Sequence, residues 1–482
     1  MAKATSRGSG KKRQVKKSPT GIEGLDDITG GGLPAGRPTL LCGGAGSGKT
    51  LMAMEFIVKG ISMFKENGVY LSFEESKNEL FDNVASLGFD MDVFDAQQHI
   101  FVREIDLGMH DFVESGDYNL DGLFAQIEYG IDCVGAKRIV IDGIETLFSH
   151  FSRESIIRKE LKRIFRWLKG KGVTALITSE QGGTPGSITR HGIEEYISDC
   201  VIILDHRITE QVATRRLHIQ KYRGARHGTN EYPFLITDNG ISVFPITATQ
   251  LDHDASSQQV STGIQKLDDM FRGGYYKGSS ILITGTAGTG KSSLVSYFAN
   301  AVCGDNEKCL YFAFEESARQ IVRNMGSIGM DLQGFIDKGL LKIHAARPML
   351  QGLEMHLLTM HEIIEKEQPS AVILDPVSNL DSIGSVLDVK LMFIRVIDYL
   401  KQNGITALYT ALTPGDSMPE ATDVGVSSIM DTWILLQNLE RNGQRERSLY
   451  IMKSRGLGHS NKIRKFRISD NGIDIDTDSQ SS

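Results

Sequence analysis

Gly43-Gly44-Ala45-Gly46-Ser47-Gly48-Lys49-Thr50 and Gly285-Thr286-Ala287-Gly288-Thr289-Gly290-Lys291-Ser292 are two copies of one pattern, G-x-x-x-x-G-K-[ST], set 242 residues apart. Each copy follows a short apolar run, Thr39–Cys42 or Ile281–Thr284, and opens a helical pattern. A strand, a glycine-rich turn and a helix in that order form a phosphate-binding loop: backbone N–H groups wrap the phosphates and the helix N-terminus favours their charge. The context predicts that Lys49 and Lys291 reach the β- and γ-phosphates of ATP, and that Thr50 and Ser292 ligate Mg²⁺.

Outward from these loops the whole chain repeats. Residues 20–32 (TGIEGLDDITGGG) match 262–274 (TGIQKLDDMFRGG) at eight of thirteen positions. FEES occurs at Phe73–Ser76 and Phe314–Ser317, GVTALIT at 172–178 answers GITALYT at 404–410, and ITDNGI at 236–241 answers ISDNGI at 468–473. Collinear matches over more than two hundred residues mean two homologous domains, because the period is far too long for a solenoid. The expected organisation is a basic, solvated leader over 1–19, a first domain over 20–249, a polar linker over 250–261, a second domain over 262–476 and a short tail over 477–482. In each copy buried strands alternate with helical stretches: Thr39–Cys42, Val69–Phe73, Arg138–Ile141, Val173–Thr178 and Cys200–Leu204 in the first, Ile281–Thr284, Cys309–Phe314, Ala371–Leu374, Ile405–Thr410 and Trp433–Leu436 in the second. That alternation predicts an α/β fold in which each domain is a mostly parallel sheet flanked by helices.

The 482 residues suit two or three domains, and 40% hydrophobic with 23% charged residues is the balance of a folded chain. No apolar run reaches the length of a membrane helix. Five scattered cysteines without a C-x-x-C pair argue against disulfide scaffolding or structural zinc and fit a reducing cytoplasm. The leader holds seven lysines and arginines and no acid, so removing it from the net charge of −7 leaves −14 for the body. A body this acidic is a poor general nucleic-acid binder.

Three further pairs of elements carry chemistry. Asp142 ends RIVID and Asp375 ends AVILD, the place for a strand-end carboxylate on the Mg²⁺ side of the site. Glu74-Glu75 and Glu315-Glu316 follow apolar strands 25 and 24 residues beyond the loop lysines, where adjacent carboxylates can act as general base or orient the attacking group. Lys221-Tyr222-Arg223-Gly224 and Lys453-Ser454-Arg455-Gly456 place a lysine and an arginine two apart, which on a strand directs both to one face. Such a pair can cover a neighbouring subunit's γ-phosphate.

Two tandem phosphate-loop domains with FEES-type glutamates and a K-x-R-G element closely resemble the KaiC family of RecA-like ATPases, over about Thr20 to Ile475. The resemblance implies RecA-like domains in a homohexameric ring with ATP between subunits, contacted in trans by Lys221, Tyr222, Arg223, His227, Lys453, Ser454 and Arg455. It implies slow hydrolysis in the first domain, and a second domain that phosphorylates itself with Glu315 as base and metal-side ligand. The acceptors fall in the stretch Thr422–Thr432, at Ser427-Ser428, for which the first domain has Glu195-Tyr196. A KaiB-like partner is implied; a KaiA-type partner is not expected, because the chain ends soon after Asp476. Two rivals stay open: a nucleotide-gated hexameric scaffold without autophosphorylation, and a RecA-type DNA-dependent ATPase, against which the acidic body counts.

Overall fold

A computed structural model describes residues 15–105, 120–148, 154–182, 197–209, 212–244, 256–348, 352–413, 427–441 and 444–476. The chain divides into two compact units, Met1–Thr247 and Ala248–Ser482.

In the first unit the sheet strands are β1 (Pro38–Gly43), β2 (Gly68–Ser72), β3 (Ile100–Glu104), β4 (Arg138–Asp142), β5 (Thr174–Glu180), β6 (Cys200–Thr209), β7 (Val212–Tyr222), β8 (Glu231–Thr237) and β9 (Gly240–Val243). Their order is β9-β8-β7-β6-β1-β5-β4-β2-β3. The run from β3 to β6 is parallel and β6 to β9 antiparallel. The second unit repeats the plan with β10 (Ser280–Gly285), β11 (Cys309–Ala313), β12 (Leu341–Ala345), β13 (Ala371–Asp375), β14 (Thr406–Leu412), β15 (Thr432–Arg441), β16 (Gln444–Ser454), β17 (Arg464–Ser469) and β18 (Gly472–Ile475), in the order β12-β11-β13-β14-β10-β15-β16-β17-β18. The expected α/β class and mostly parallel sheets are therefore present in both halves.

Burial on both faces explains the unbroken apolar strands. Along the first sheet Leu41, Tyr70, Val140, Leu176 and Ile202 enter one core, while Leu40, Val69, Leu71, Ile139, Ile141, Ile177 and Val201 enter the opposite one. Successive residues alternate between the two, the period-two signature of a strand. Helix α1 (Lys49–Phe64) covers the first of these faces with Met52, Phe56, Ile57 and Ile61, and each such side chain stabilises by about 1.5–3 kcal/mol on full burial. Helix Glu154–Lys171 covers the other with Ile157, Leu161, Ile164, Phe165 and Leu168.

Beyond the ten expected strands the structure adds the edge strands β3 and β12 and the antiparallel extensions, and it moves boundaries of three kinds. Lys17–Ser18, inside the stretch read as leader, pair with Leu33–Pro34, and Lys17 donates to Gly30 O at 2.9 Å. Gln259–Val260, at the end of the stretch read as linker, pair in the same way with Tyr275–Tyr276. The strands opening at Cys200 and Thr432 run five residues beyond the expected ends at Leu204 and Leu436, because each forms a long hairpin with the next strand. The tail 477–482 and residues 250–255 of the linker lie outside the described residues.

Candidate functional site

Both phosphate loops sit where β1 and β10 end. Gly46 and Gly48 have φ of 71° and 96°, and Gly288 and Gly290 have 77° and 99°, a left-handed geometry that glycine adopts without a Cβ penalty. Gly48 and Gly290 are the N-cap residues of α1 and of helix α2 (Lys291–Gly304). The lysines fold over their own loops: Lys49 Nζ donates to Gly43 O and Gly44 O at 2.9 and 3.0 Å, and Lys291 Nζ to Gly285 O and Thr286 O at 2.8 and 3.0 Å. Burial lowers the Lys291 pKa, while Asp375 and Glu315 oppose that shift. Ala45, Gly46, Ala287 and Gly288 are exposed at the loop crests; Thr50 and Ser292, in the first turn of each helix, are half-buried.

Asp142 and Asp375 end β4 and β13, each the next strand but one from its phosphate loop, and are held alike. Asp142 accepts from Tyr70 Oη at 2.6 Å and from Thr178 Oγ1 at 2.5 Å. Asp375 accepts from Tyr311 Oη at 2.5 Å and from the Thr410 hydroxyl. Each carboxylate is thus braced from the strands on either side, with burial and the adjacent acid pushing the two tyrosine pKa values well up. Sequence reasoning missed these braces. The signal was available, since Tyr70 and Tyr311 occupy the same place in VYLSF and LYFAF, as do Thr178 and Thr410 in the matched GVTALIT and GITALYT.

The FEES segments bend away from β2 and β11. Glu74 and Glu315 are exposed, while Glu75 and Glu316 are half-buried and accept from Asn83 Nδ2 and Asn324 Nδ2 at 3.2 and 3.1 Å. Burial raises the Glu75 pKa. The serine of each segment serves the fold, because Ser76 and Ser317 cap the next helix in capping boxes with Glu79 and Gln320. In the first domain a cavity of about 430 Å³ opens between Gly46–Leu51 of the loop and Leu80, Asn83, Val84 and Leu87, closed on one side by Ile236 of β8. The antiparallel extension of the sheet therefore supplies a wall of the site. In the second domain the extension also supplies Arg447, whose Nε donates to Gly288 O at 3.3 Å, a contact the sequence reading did not anticipate.

The K-x-R-G elements are not continuous strands. Lys221 and Lys453 are the penultimate residues of β7 and β16, whereas Arg223 and Arg455 lie in the turns beyond, exposed. A bulge opposite Val201/Ile202 and Trp433/Ile434 resets the alternation at each lysine. Tyr222, grouped with residues reaching across to a neighbour, instead points into the core: it is buried, its Oη donates to Gly32 O at 2.9 Å, and Lys17 sits over its ring. Side-chain alternation puts it on the opposite face from Lys221. His227 stacks on that ring at 6.3 Å. Ser454 is half-buried and bonds to Thr432 Oγ1.

Ser427 and Ser428 form a turn entering β15, the first half-buried and the second exposed. Their carbonyls are gripped by the K-x-R-G element of the same domain: Lys453 Nζ donates to Ser427 O at 2.9 Å and Arg455 Nη2 to Ser428 O at 2.7 Å. Thr422–Val426 and Glu195-Tyr196 lie outside the described residues.

Comparison with known proteins agrees with this geometry. The family model described as "ATPase: KaiC" matches twice, over residues 18–248 and 260–480. The chain belongs to the KaiC family. Among its relatives, circadian clock protein KaiC2 of Synechocystis sp. is 52% identical over 462 residues, covering 95% of this chain and 81% of that protein. Circadian clock oscillator protein KaiC of Parathermosynechococcus lividus is 40% identical, covering 96% and 86%, and that of Synechococcus elongatus is 39% identical, covering 96% and 89%. This KaiC-family chain is thus an ATPase homologue built from two RecA-like domains, and its loops are those of an ATP-binding family. Among the described residues no helix is long and apolar enough to cross a membrane.

Proposed function

We propose that this chain divides two reactions of ATP between its domains, in a signalling role of the circadian or stress type. The first domain hydrolyses ATP slowly and the second transfers the γ-phosphoryl group to Ser427, Ser428 or both. The observation that carries the reading is the grip of Lys453 and Arg455 on the Ser427-Ser428 turn, which ties the acceptor hydroxyls to the cations suited to a neighbour's phosphates.

Within each site the roles follow from position. The loop backbone and Lys49 or Lys291 hold the phosphates; Thr50 or Ser292 would hold Mg²⁺, with Asp142 or Asp375 beside it. These donors are hard oxygens, as Mg²⁺ requires. Each aspartate already accepts from two hydroxyls and keeps further lone pairs with which it would help hold the metal. Mg²⁺ would neutralise charge on the β- and γ-phosphates. Glu74 with Glu75 orients and deprotonates water in the first domain; Glu315 with Glu316 takes the proton of the serine hydroxyl in the second. The O–P bond to serine forms as the bond to ADP breaks.

The K-x-R-G cations, Lys221 and Arg223 in one layer and Lys453 and Arg455 in the other, complete the next subunit's site, which makes the active species a homohexameric ring. A KaiB-like protein is the partner class that the family resemblance implies.

The test is transfer of labelled γ-phosphate to the purified chain. Wild type is expected to incorporate label and hydrolyse ATP. Glu315→Gln is expected to lose incorporation while retaining hydrolysis in the first domain, and Glu74→Gln/Glu75→Gln to do the reverse. Wild type without label, but with hydrolysis and nucleotide-dependent assembly, would return the chain to a nucleotide-gated scaffold.

A further inference from the structure

The two domains share their phosphate loops but differ on two surfaces, and the differences match in charge. One surface is a cavity of about 490 Å³ in the first domain, floored by Pro38, Phe165 and Ile197 and edged by helix Glu154–Lys171. Arg158, Lys162, Arg166 and Lys169 fall on one stripe of that helix, about 6 Å apart along its axis at each four-residue step. Arg223 closes the cavity, and its one acid, Asp199, is taken by Lys169 at 2.7 Å. Arg158, Lys162 and Arg166 are exposed and have no hydrogen-bond or ion-pair partner among the described residues. The ion pair Lys401–Asp431 fixes the second-domain equivalents, 232 residues on, as Lys390, Ile394 and Asp398. Lys162 and Arg166 are thus cations that only the first domain has.

The other surface is the catalytic edge. Glu145, on the short helix after Asp142, is 5% exposed, and its Oε2 has no partner among the described residues. Burial first, then the charges of Glu74 and Glu180, push its pKa up to about 7. Glu180 ends β5 opposite Gly43, and the matching register in the second domain places Leu412 opposite Gly285. The position of Glu145 is taken there by Ser378, whose hydroxyl accepts from Leu412 N at 3.2 Å. Two extra acids on one face of the first domain therefore accompany two extra cations on another, and both pairs are missing from the second.

We propose that the basic cavity of the first domain receives the acidic catalytic edge of a second copy of this chain, so that Lys162 and Arg166 of one copy face the half-buried Glu180 of the next, with Glu145 buried behind it. This rests on the ring reading above, in which Arg223, itself a wall of the cavity, reaches the neighbour's nucleotide. Among the described residues Lys162 and Arg166 have no partner in their own domain, and opposed charge at a contact between copies sets register and excludes the wrong layer. The first-domain layer is then the salt-sensitive one.

A zero-length carbodiimide cross-link tests the contact, because it joins a lysine amine to a carboxylate only when the two already touch. Isotope-labelled and unlabelled full-length chains are mixed with Mg·ATP, cross-linked, sedimented into ring and single-chain fractions, and digested for mass analysis. The Lys169–Asp199 pair gives same-label links in both fractions and serves as the control. Mixed-label peptides joining Lys162 to Glu180 are expected in the ring fraction only. The exposed double variant Lys162→Glu/Arg166→Glu is expected to need about tenfold more protein for half-assembly at about 50 mM NaCl, a difference that closes towards about 500 mM. Rings that form without those mixed-label links, or a variant that assembles like wild type at low salt, would overturn the proposal while leaving the ring intact. A single chain under every condition would overturn the ring reading itself. Retention of single-stranded DNA by Lys162 and Arg166 in rings lacking the links would give the cavity to nucleic acid instead.

Discussion

Tyr70→Phe removes one hydroxyl and isolates what braces the strand-end aspartate. Tyr70 is fully buried, and its Oη lies 2.6 Å from Asp142 Oδ2, for which no other donor is found among the described side chains. The remaining brace, Thr178, reaches the other oxygen. Losing a hydrogen bond to a charged group costs about 1.5–3 kcal/mol, and the larger figure applies when the abandoned acceptor stays buried. A domain of this size shifts its melting point by about 2–4 °C per kcal/mol, so the expected fall is about 3–12 °C. The assay is differential scanning calorimetry of the nucleotide-free chain at pH 8. The tyrosine remains protonated there, since burial and Asp142 raise its pKa far above the ordinary value. The matching brace in the second domain, Tyr311 on Asp375, is untouched, so only one of the two transitions is expected to move. A first-domain transition that shifts by less than about 1 °C would refute the reasoning, because the hydroxyl would then contribute no more than an exposed one.

Gly43→Ala is expected to abolish nucleotide retention in the first domain alone, since an added Cβ would lie 2.7 Å from Leu204 O and 2.5 Å from Ser47 Oγ; bound-nucleotide stoichiometry checks it. Arg138→Ala is expected to destabilise the first domain by about 1.5–3 kcal/mol in denaturant titration, because the fully buried guanidinium is the donor to the buried Phe56 O and to the part-buried Glu66 and Pro19 O. Glu55 accepts from Ile241 N at 2.8 Å, and burial pushes its pKa up to about 7. Folding therefore takes up a proton between about pH 4.5 and 7, and stability falls as pH rises through that window. Glu55→Gln is expected to flatten that fall, by roughly 3 kcal/mol between pH 5 and 8 in the nucleotide-free chain. Ser76→Ala is expected to cost about 1 kcal/mol through the lost helix cap, measured by the same titration.

The duplication made the fold legible. A strand buried on both faces is a run of apolar residues, and ten such runs, matched in pairs, named the parallel core of both sheets. The antiparallel extensions were harder to read because their outer faces are polar: VATRRLHIQKY and QRERSLYIMKS look like surface until β6 and β15 pair with them. Spacing placed Lys49, Asp142 and the glutamates at one end of the sheet, yet it could not reveal which groups hold Asp142 in position. Tyr70 and Thr178 belong to other strands, 72 and 36 residues away, and become neighbours only through register. Tyr222 was grouped with its neighbours by resemblance alone; alternation turns it away from Lys221 and into the core, where its hydroxyl meets Gly32 O. Arg138 opens a strand read as buried, but its partners were not legible: Glu66 and the carbonyls of Phe56 and Pro19, which make its burial tolerable, lie far off in sequence.

The division of labour between domains is tested most directly by intact-mass and phosphopeptide measurement of wild type and Ser427→Ala/Ser428→Ala after incubation with Mg·ATP. The account predicts that wild type gains phosphate on the peptide spanning Ser427 and Ser428, while the double alanine gains none and still hydrolyses ATP in its first domain. Wild type that gains no phosphate, or a double alanine that gains as much, would contradict it.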